Sequence, residues 1–210
     1  MKRLLDIFFS FIGLLLLLPL FALVAILIKM DSKGPIFFRQ VRIGRNFYPF
    51  KIYKFRTMIL DAEKKGLSLT VGGDKRITKI GKIMRETKID ELPQLINILK
   101  GNMSFVGSRP EIKKYVELFR SDYEKILKMR PGITDPATIK FSDEESISSS
   151  SSEWEEDYIN ILMPKKIKLS SDYIDNNNIY IDLKLILRTI LIILRVDKRR
   201  GKEKDIKITT

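Results

Sequence analysis

Two adjacent carboxylates, Asp90 and Glu91, stand between Arg85 and Arg109 in a stretch that reads RETKIDELPQLINILKGNMSFVGSRP from Arg85 to Pro110. A helix signal starts at the same place: Asp90 suits an N-cap, Pro93 the first turn and Gly101 the C-cap. A helix N-terminus offers free amides and partial positive charge, which favours bound phosphate. A carboxylate there can attack phosphorus and form an acyl phosphate. Anionic substrates would repel such a carboxylate, and arginines with magnesium offset that repulsion in phosphoryl transfer. Adjacent residues on a helix point in different directions, so Asp90 and Glu91 are expected to have separate roles. The same residues also suit plain structural use, Asp90 as a cap and Glu91 as a partner of the helix dipole. Residue types and spacing leave both uses open.

The rest of the composition narrows the chemistry. The 210 residues include no cysteine and no histidine, which excludes disulfides, a thiolate nucleophile and zinc held by its usual ligands. Acid–base and nucleophilic work then falls to carboxylates, hydroxyls, Lys or Tyr. A metal would be a hard cation held by oxygens, such as Mg2+. There is no Walker A pattern and no dinucleotide fingerprint. The net charge of +13 points to anionic partners, whether nucleic acid, lipid headgroups or phosphorylated substrates.

The elements that must position these groups begin with an apolar block, Ile7 to Ile28, interrupted only by Ser10, Gly13 and Pro19. As a helix of about 22 residues it reaches ~33 Å, enough to span a bilayer. It is too long for a signal-peptide core and is followed by no small-x-small cleavage site. It also lacks the polar face of a soluble helix. Pro19 favours a kink and leaves halves of about 12 residues, ~18 Å each, too short to cross alone. Proline is tolerated in spanning helices as well, so spanning and re-entrant placements both stand.

Beyond it, turn residues bound two strands, Ile36–Val41 and Phe47–Phe55, and a short basic helix covers Thr78–Arg85. The helix from Asp90 to Leu99 carries an apolar stripe of Leu92, Leu95, Ile96 and Leu99. A single amphipathic helix is expected over Glu111–Lys128 and an exposed serine-rich acidic loop over Ser142–Asp157. A buried or interfacial helix follows over Ile181–Leu194, then a charged, mobile tail from Lys198.

Three segments together resemble one family. They are Lys51-Ile52-Tyr53-Lys54-Phe55-Arg56-Thr57-Met58, Asp90-Glu91-Leu92-Pro93-Gln94-Leu95, and the run from Leu99 to Pro110 that contains Gly107-Ser108-Arg109-Pro110. Arg130-Pro131-Gly132-Ile133-Thr134 and Asp182-Leu183-Lys184 fit the same pattern in the same order. These motifs are similar to those of the bacterial sugar transferases, the monotopic polyprenyl-phosphate phosphoglycosyl transferases. The resemblance implies that Asp90 attacks the sugar-bearing phosphate of a UDP-sugar, expels UMP and passes the phosphosugar to undecaprenyl phosphate. It implies that Glu91 assists, that Mg2+ sits beside Asp90, and that Lys54, Arg56, Arg85 and Arg109 contact the phosphates.

The implied fold is α+β and mainly helical. A re-entrant membrane helix broken at Pro19 covers residues 1–30, a small catalytic domain with short strands and interfacial amphipathic helices covers 31–195, and a charged tail covers 196–210. The implied location is the bacterial inner membrane with the catalytic domain facing the cytoplasm, and no nucleic-acid partner. The pathway could be capsule, O-antigen, exopolysaccharide or glycoprotein glycan. Three departures stand out: Leu18 before Pro19 where serine is common, Ser108 in place of a proline, and Asp135-Pro136-Ala137-Thr138-Ile139-Lys140 after Thr134. The last lies where sugar or nucleotide preference is expected to be set. The alternative is a non-catalytic, membrane-anchored basic protein that binds anionic lipid or nucleic acid, which gives no reason for carboxylates beside arginines.

Overall fold

The computed structural model describes residues 2–62, 74–141 and 154–193. The chain is α+β and mainly helical. Helix α1 (Lys2–Asp31) leads into an antiparallel hairpin of β1 (Phe37–Ile43) and β2 (Pro49–Phe55), paired Phe37 to Phe55 through Ile43 to Pro49. Then come α2 (Lys79–Glu86), a 3-10 turn (Ile89–Glu91), α3 (Gln94–Lys100) and β3 (Ser104–Val106). Helices α4 (Lys113–Leu118) and α5 (Arg120–Ile126) precede β4 (Gly132–Thr134), which pairs parallel with β3. Helix α6 (Pro136–Lys140) is followed by α7 (Trp154–Asp157), a π-helical turn (Tyr158–Leu162), α8 (Met163–Asn176) and α9 (Ile179–Ile193).

Helix α1 is not amphipathic, since both of its faces are largely apolar. At 30 residues it is about 45 Å long, and it runs through Pro19 without a break in the helix. One face lies on the rest of the chain from the first turn to the last. Lys2 reaches Asp182 (2.8 Å) and the Val106 carbonyl (3.0 Å), and Arg3 donates to the carbonyls of Ile98 (2.7 Å) and Leu99 at the end of α3. Buried Asp6 accepts from the Ser104 hydroxyl and the Phe105 amide. Leu14 and Leu17 pack on Ile52, Leu95 and Ile98, and Val24 and Ile28 pack on Phe55 and Met84. Asp31 accepts from the Ile80 amide. The other face is a stripe of Leu4, Phe8, Phe11, Leu15 and Leu18, all more than half exposed. An apolar stripe of that length has no stable place in water.

At the far end of the chain, Asp182 is 5% exposed and is held by Lys2 and by the Tyr173 hydroxyl. This joins α9 to α8 and to the first turn of α1. Asp182→Ala leaves a buried phenol and a half-buried ammonium without their acceptor. It is expected to lower stability by about 2–3 kcal/mol, read by thermal unfolding in detergent micelles.

Several expectations are corrected. Glu111–Lys128 is not one helix, because Phe119 takes a non-helical conformation between α4 and α5 and packs on the Tyr115–Tyr123–Trp154 core. Glu111 lies before α4, buried and held by the Tyr158 hydroxyl (3.0 Å). The end of the expected serine-rich loop is α7, whose Trp154 is buried against Tyr158; residues 142–153 and the tail from Lys198 lie outside the described residues. On α3 the buried side chains are Gln94, Leu95, Asn97 and Ile98, with Ile96 and Leu99 only partly covered. The reason is that α3 is clamped from two sides, by α1 through Leu95 and by β2 through Asn97, whose carboxamide bridges the Lys51 carbonyl and the Tyr53 amide.

Candidate active site

The carboxylate pair is delivered by a reversal between α2 and α3. Thr78 caps α2 by accepting from the Gly81 amide, and Gly81 lies so close to Thr57 that a Cβ would sit 2.1 Å from its carbonyl oxygen. That approach brings Arg85 onto the Thr57 hydroxyl (2.9 Å). Lys88 then takes a left-handed conformation (φ 57°) and opens the 3-10 turn that carries Asp90 and Glu91. A non-glycine residue in that region is strained, and such strain gathers at functional sites. Asp90 is therefore not an N-cap: Lys88 stands at the cap of the turn and Pro93 at the cap of α3. Gly101 ends α3 with φ 87°, as the sequence predicted.

Arg109 reaches the pair from the opposite direction. Just past the end of β3, Gly107 passes close against Gly132 at the start of β4, the Gly107 amide donating to the Thr134 carbonyl and the Gly132 amide to the Ser108 carbonyl (3.0 Å each). A Cβ on Gly107 would fall 2.3 Å from the Arg130 carbonyl oxygen, and one on Gly132 2.1 Å from the Gly107 amide nitrogen. This close approach fixes the chain that leads into Arg109.

The two carboxylates have different surroundings. Glu91 accepts from Lys54 (2.8 Å) and from both terminal nitrogens of Arg109, a forked charge-assisted pair. Burial alone would raise its pKa, but the charges and hydrogen bonds of Arg109 and Lys54 outweigh that and hold it well below the usual carboxylate range. Asp90 is only 7% exposed, and its Oδ1 has no hydrogen-bond partner. Burial pushes its pKa up to about 6, with Lys54 pulling the other way and neighbouring Glu91 adding to the rise. Glu91 is thus a fixed anion, while Asp90 carries an unshielded oxygen that nothing in the fold occupies. The separate roles expected from adjacency have a physical basis.

A pH consequence follows for protein kept free of metal. Asp90 binds its proton more tightly folded than unfolded, so between pH 3.8 and about 6 folding takes up a proton and stability falls as pH rises. At pH 7.5 Asp90→Asn is then expected to be more stable than the parent by roughly 1–3 kcal/mol, the excess vanishing near pH 4. Thermal melts of both proteins in EDTA, compared across pH, check this.

The other expected phosphate ligands divide. Lys54 and Arg109 converge on Glu91, and Arg85 is near enough for its charge to favour the Asp90 anion. Arg56 is not brought to the pair. It is buried, and its guanidinium donates to the Ser32 carbonyl (2.7 Å), the Ser32 hydroxyl and the Lys33 carbonyl (3.0 Å), holding the chain where α1 ends. Strand alternation would put Arg56 on the face of Lys54, but Arg56 lies past the end of β2, where the carbonyls of Ser32 and Lys33 capture its guanidinium. Pro19 lies within α1 and does not end it. Among the described residues no cluster of three or more His, Cys, Asp or Glu side chains gathers as a ready-made metal cage.

A cavity of about 320 Å³ opens beside the pair, lined by Glu91, Arg109, Lys88 and Ser108 and otherwise by mostly apolar side chains. Lys88 and Glu111, both lining it, were not singled out from the sequence. Glu111 directly follows Arg109-Pro110, so a buried carboxylate there had a local signal, whereas the left-handed turn at Lys88 had none.

The profile of the bacterial sugar transferases matches residues 1–196. The chain belongs to that family. It is 36% identical over 200 residues to UDP-N-acetylgalactosamine-undecaprenyl-phosphate N-acetylgalactosaminephosphotransferase of Aeromonas hydrophila, covering 92% of this chain and 43% of that protein. It is 35% identical over 201 residues to UDP-glucose:undecaprenyl-phosphate glucose-1-phosphate transferase of Caulobacter vibrioides, covering 93% and 70% respectively. A third relative, exopolysaccharide production protein PSS of Rhizobium leguminosarum bv. phaseoli, is 45% identical over 148 residues, 67% of this chain and 74% of that one. The chain thus spans less than half of the Aeromonas protein and about seven-tenths of the other two. As a sugar transferase this chain is an enzyme, and its long apolar helix makes it one associated with a membrane.

Proposed function

We propose that this sugar transferase moves a sugar-1-phosphate from a UDP-sugar to undecaprenyl phosphate, or a similar polyprenyl phosphate, through a covalent intermediate on Asp90. The observation that carries the reading is the contrast within the pair: Glu91 is tied up by Lys54 and Arg109, and Asp90 keeps a buried oxygen without a partner. In the first step the Asp90 carboxylate attacks the phosphorus that bears the sugar, and the bond from that phosphorus to the UMP oxygen breaks. In the second, an oxygen of the lipid phosphate attacks the same phosphorus and Asp90 is released, giving a polyprenyl diphosphate sugar. A carboxylate freed of solvent and of hydrogen bonds is a stronger nucleophile than one in water. Glu91, a fixed anion, keeps Lys54 and Arg109 in place beside the reacting phosphates.

The residues present suit Mg2+: the Asp90 carboxylate would offer one hard oxygen donor, and this ion commonly fills its remaining positions with water and substrate phosphate. When bound, it would neutralise charge on the diphosphate. The orientation of α1 is part of the same reading. Both of its ends are bonded to one domain, which supports a helix seated in the membrane with both ends on one side, the side we assign to the cytoplasmic face of the inner membrane. Relatives named for N-acetylgalactosamine and for glucose donors leave the sugar to this chain's own pocket. The pathway served is a surface or exported glycan.

The test is UMP release by purified protein with Mg2+, undecaprenyl phosphate and a panel of UDP-sugars. Lipid-dependent turnover with one sugar is the expected result. No release from any UDP-sugar by folded protein would overturn the reading and favour non-catalytic binding of anionic lipid.

A further inference from the structure

The cavity beside the carboxylates has two kinds of boundary. One part of its lining carries Arg109, paired with Glu91, and Lys88, which gives it the charge to meet a phosphate. Its walls are built largely from isoleucines of β4, α6, α8 and α9, among them Ile133, Ile139, Ile167 and Ile186. The polar groups in those walls are mostly satisfied within the protein. The hydroxyls of Thr134 and Thr189 bond each other (2.6 Å). Asp135 accepts from the Thr138 amide (2.7 Å) and the Ser170 hydroxyl (2.9 Å). The Thr138 hydroxyl is buried without a partner, one group where a pyrimidine and ribose would need several.

The wall is also continuous with the outside of α9. Ile190 and Ile193 line the cavity and are still 47% and 38% exposed, and they adjoin the exposed Leu183 and Leu187 of the same helix. Helix α9 is fastened to the first turn of α1 through Asp182 and Lys2, so its outer apolar face belongs to the same body as the apolar stripe of α1. Asp90, by contrast, is not among the residues that line the cavity, whereas Glu91 is.

We propose that this cavity is the acceptor-lipid site: its Arg109 and Lys88 take the phosphate, its isoleucines take the first isoprene units, and the remaining chain leaves past Ile190 and Ile193 into the bilayer. This rests on the transfer reaction proposed above and adds where its second substrate lies. The donor's nucleotide then approaches Asp90 from the Lys54 and Arg85 side. The arrangement brings both phosphates to one carboxylate pair without requiring the nucleotide to enter an apolar pocket.

The two half-reactions separate this proposal from the one it rests on. Ile190→Trp fills the cavity at a half-exposed position that tolerates bulk, and Ile139→Trp fills it from α6. Release of UMP without lipid, up to one equivalent per enzyme, reads the donor step, and steady-state turnover against polyprenyl phosphate reads the acceptor step. The expected result in Ile190→Trp is a donor step within about twofold of the parent and an acceptor KM raised at least tenfold, a loss of about 1.4 kcal/mol in acceptor binding. If Ile139→Trp does not fold, Ile190→Trp alone decides. A matched fall in the donor step would assign the cavity to the UDP-sugar and overturn the proposal, as would an unchanged acceptor KM. No UMP release by the parent protein would overturn the transfer reaction itself.

Discussion

Asp90→Asn is expected to reduce transfer by about four orders of magnitude or more while the protein stays folded. The substitution keeps the shape of the side chain and removes the nucleophilic charge. Folding is preserved because Asp90 caps no helix and its Oδ1 makes no hydrogen bond, so the amide replaces a carboxylate that the fold pays to bury. Activity and stability are therefore expected to move in opposite directions, a pattern that a purely structural carboxylate would not give. Turnover together with a melting curve on the same preparation reads both. Residual turnover above about one per cent of the parent would remove Asp90 as the nucleophile.

Arg109→Ala is expected to lower kcat by about 10²–10³-fold, the usual effect of deleting one preorganised charge donor. The physical ground is double. Arg109 forks onto both oxygens of Glu91, and with Lys54 it supplies the positive charge that two phosphates and two carboxylates need in one place. Lysine at this position restores charge without the fork, so Arg109→Lys is expected to recover only part of the loss. Steady-state kinetics on the two variants check this. Equal activity of Arg109→Ala and the parent would reduce the pair to a surface contact.

What could be read from the residues alone follows from how local each signal is. The β1–β2 hairpin and the Gly101 stop are set by turn and cap chemistry within a few positions, and both stand where the sequence puts them; the helix expected over Thr78–Arg85 is also present, shifted by one residue so that Thr78 caps it. The grouping of Asp90, Glu91 and Arg109 was legible because the resemblance covers motifs either side of α3. Arg56 was not, because whether a basic side chain meets a phosphate or a helix end depends on which neighbour lies across the strand, here the carbonyls of Ser32 and Lys33. The break at Phe119 and the burial of Trp154 depend on a shared core of residues far apart in sequence, which periodicity does not report. Asp90 has the pattern of a cap because it is an acidic residue before Pro93, but the left-handed Lys88, which leaves no trace in composition, opens a separate turn and α3 is capped at Pro93 instead. The pattern of exposure on α1 was also hidden, since leucines on its two faces differ only in what they touch.

The central claim is a phosphosugar bonded to Asp90. Intact-mass spectrometry of the purified protein, mixed with UDP-sugar and Mg2+ in the absence of lipid and quenched in acid, tests it most directly. The expected result is a gain equal to one sugar phosphate, mapped to the peptide that contains Asp90, lost on adding polyprenyl phosphate and never formed by Asp90→Asn. An unmodified protein under conditions where lipid addition gives full turnover would contradict it, and would mean direct transfer between the two substrates.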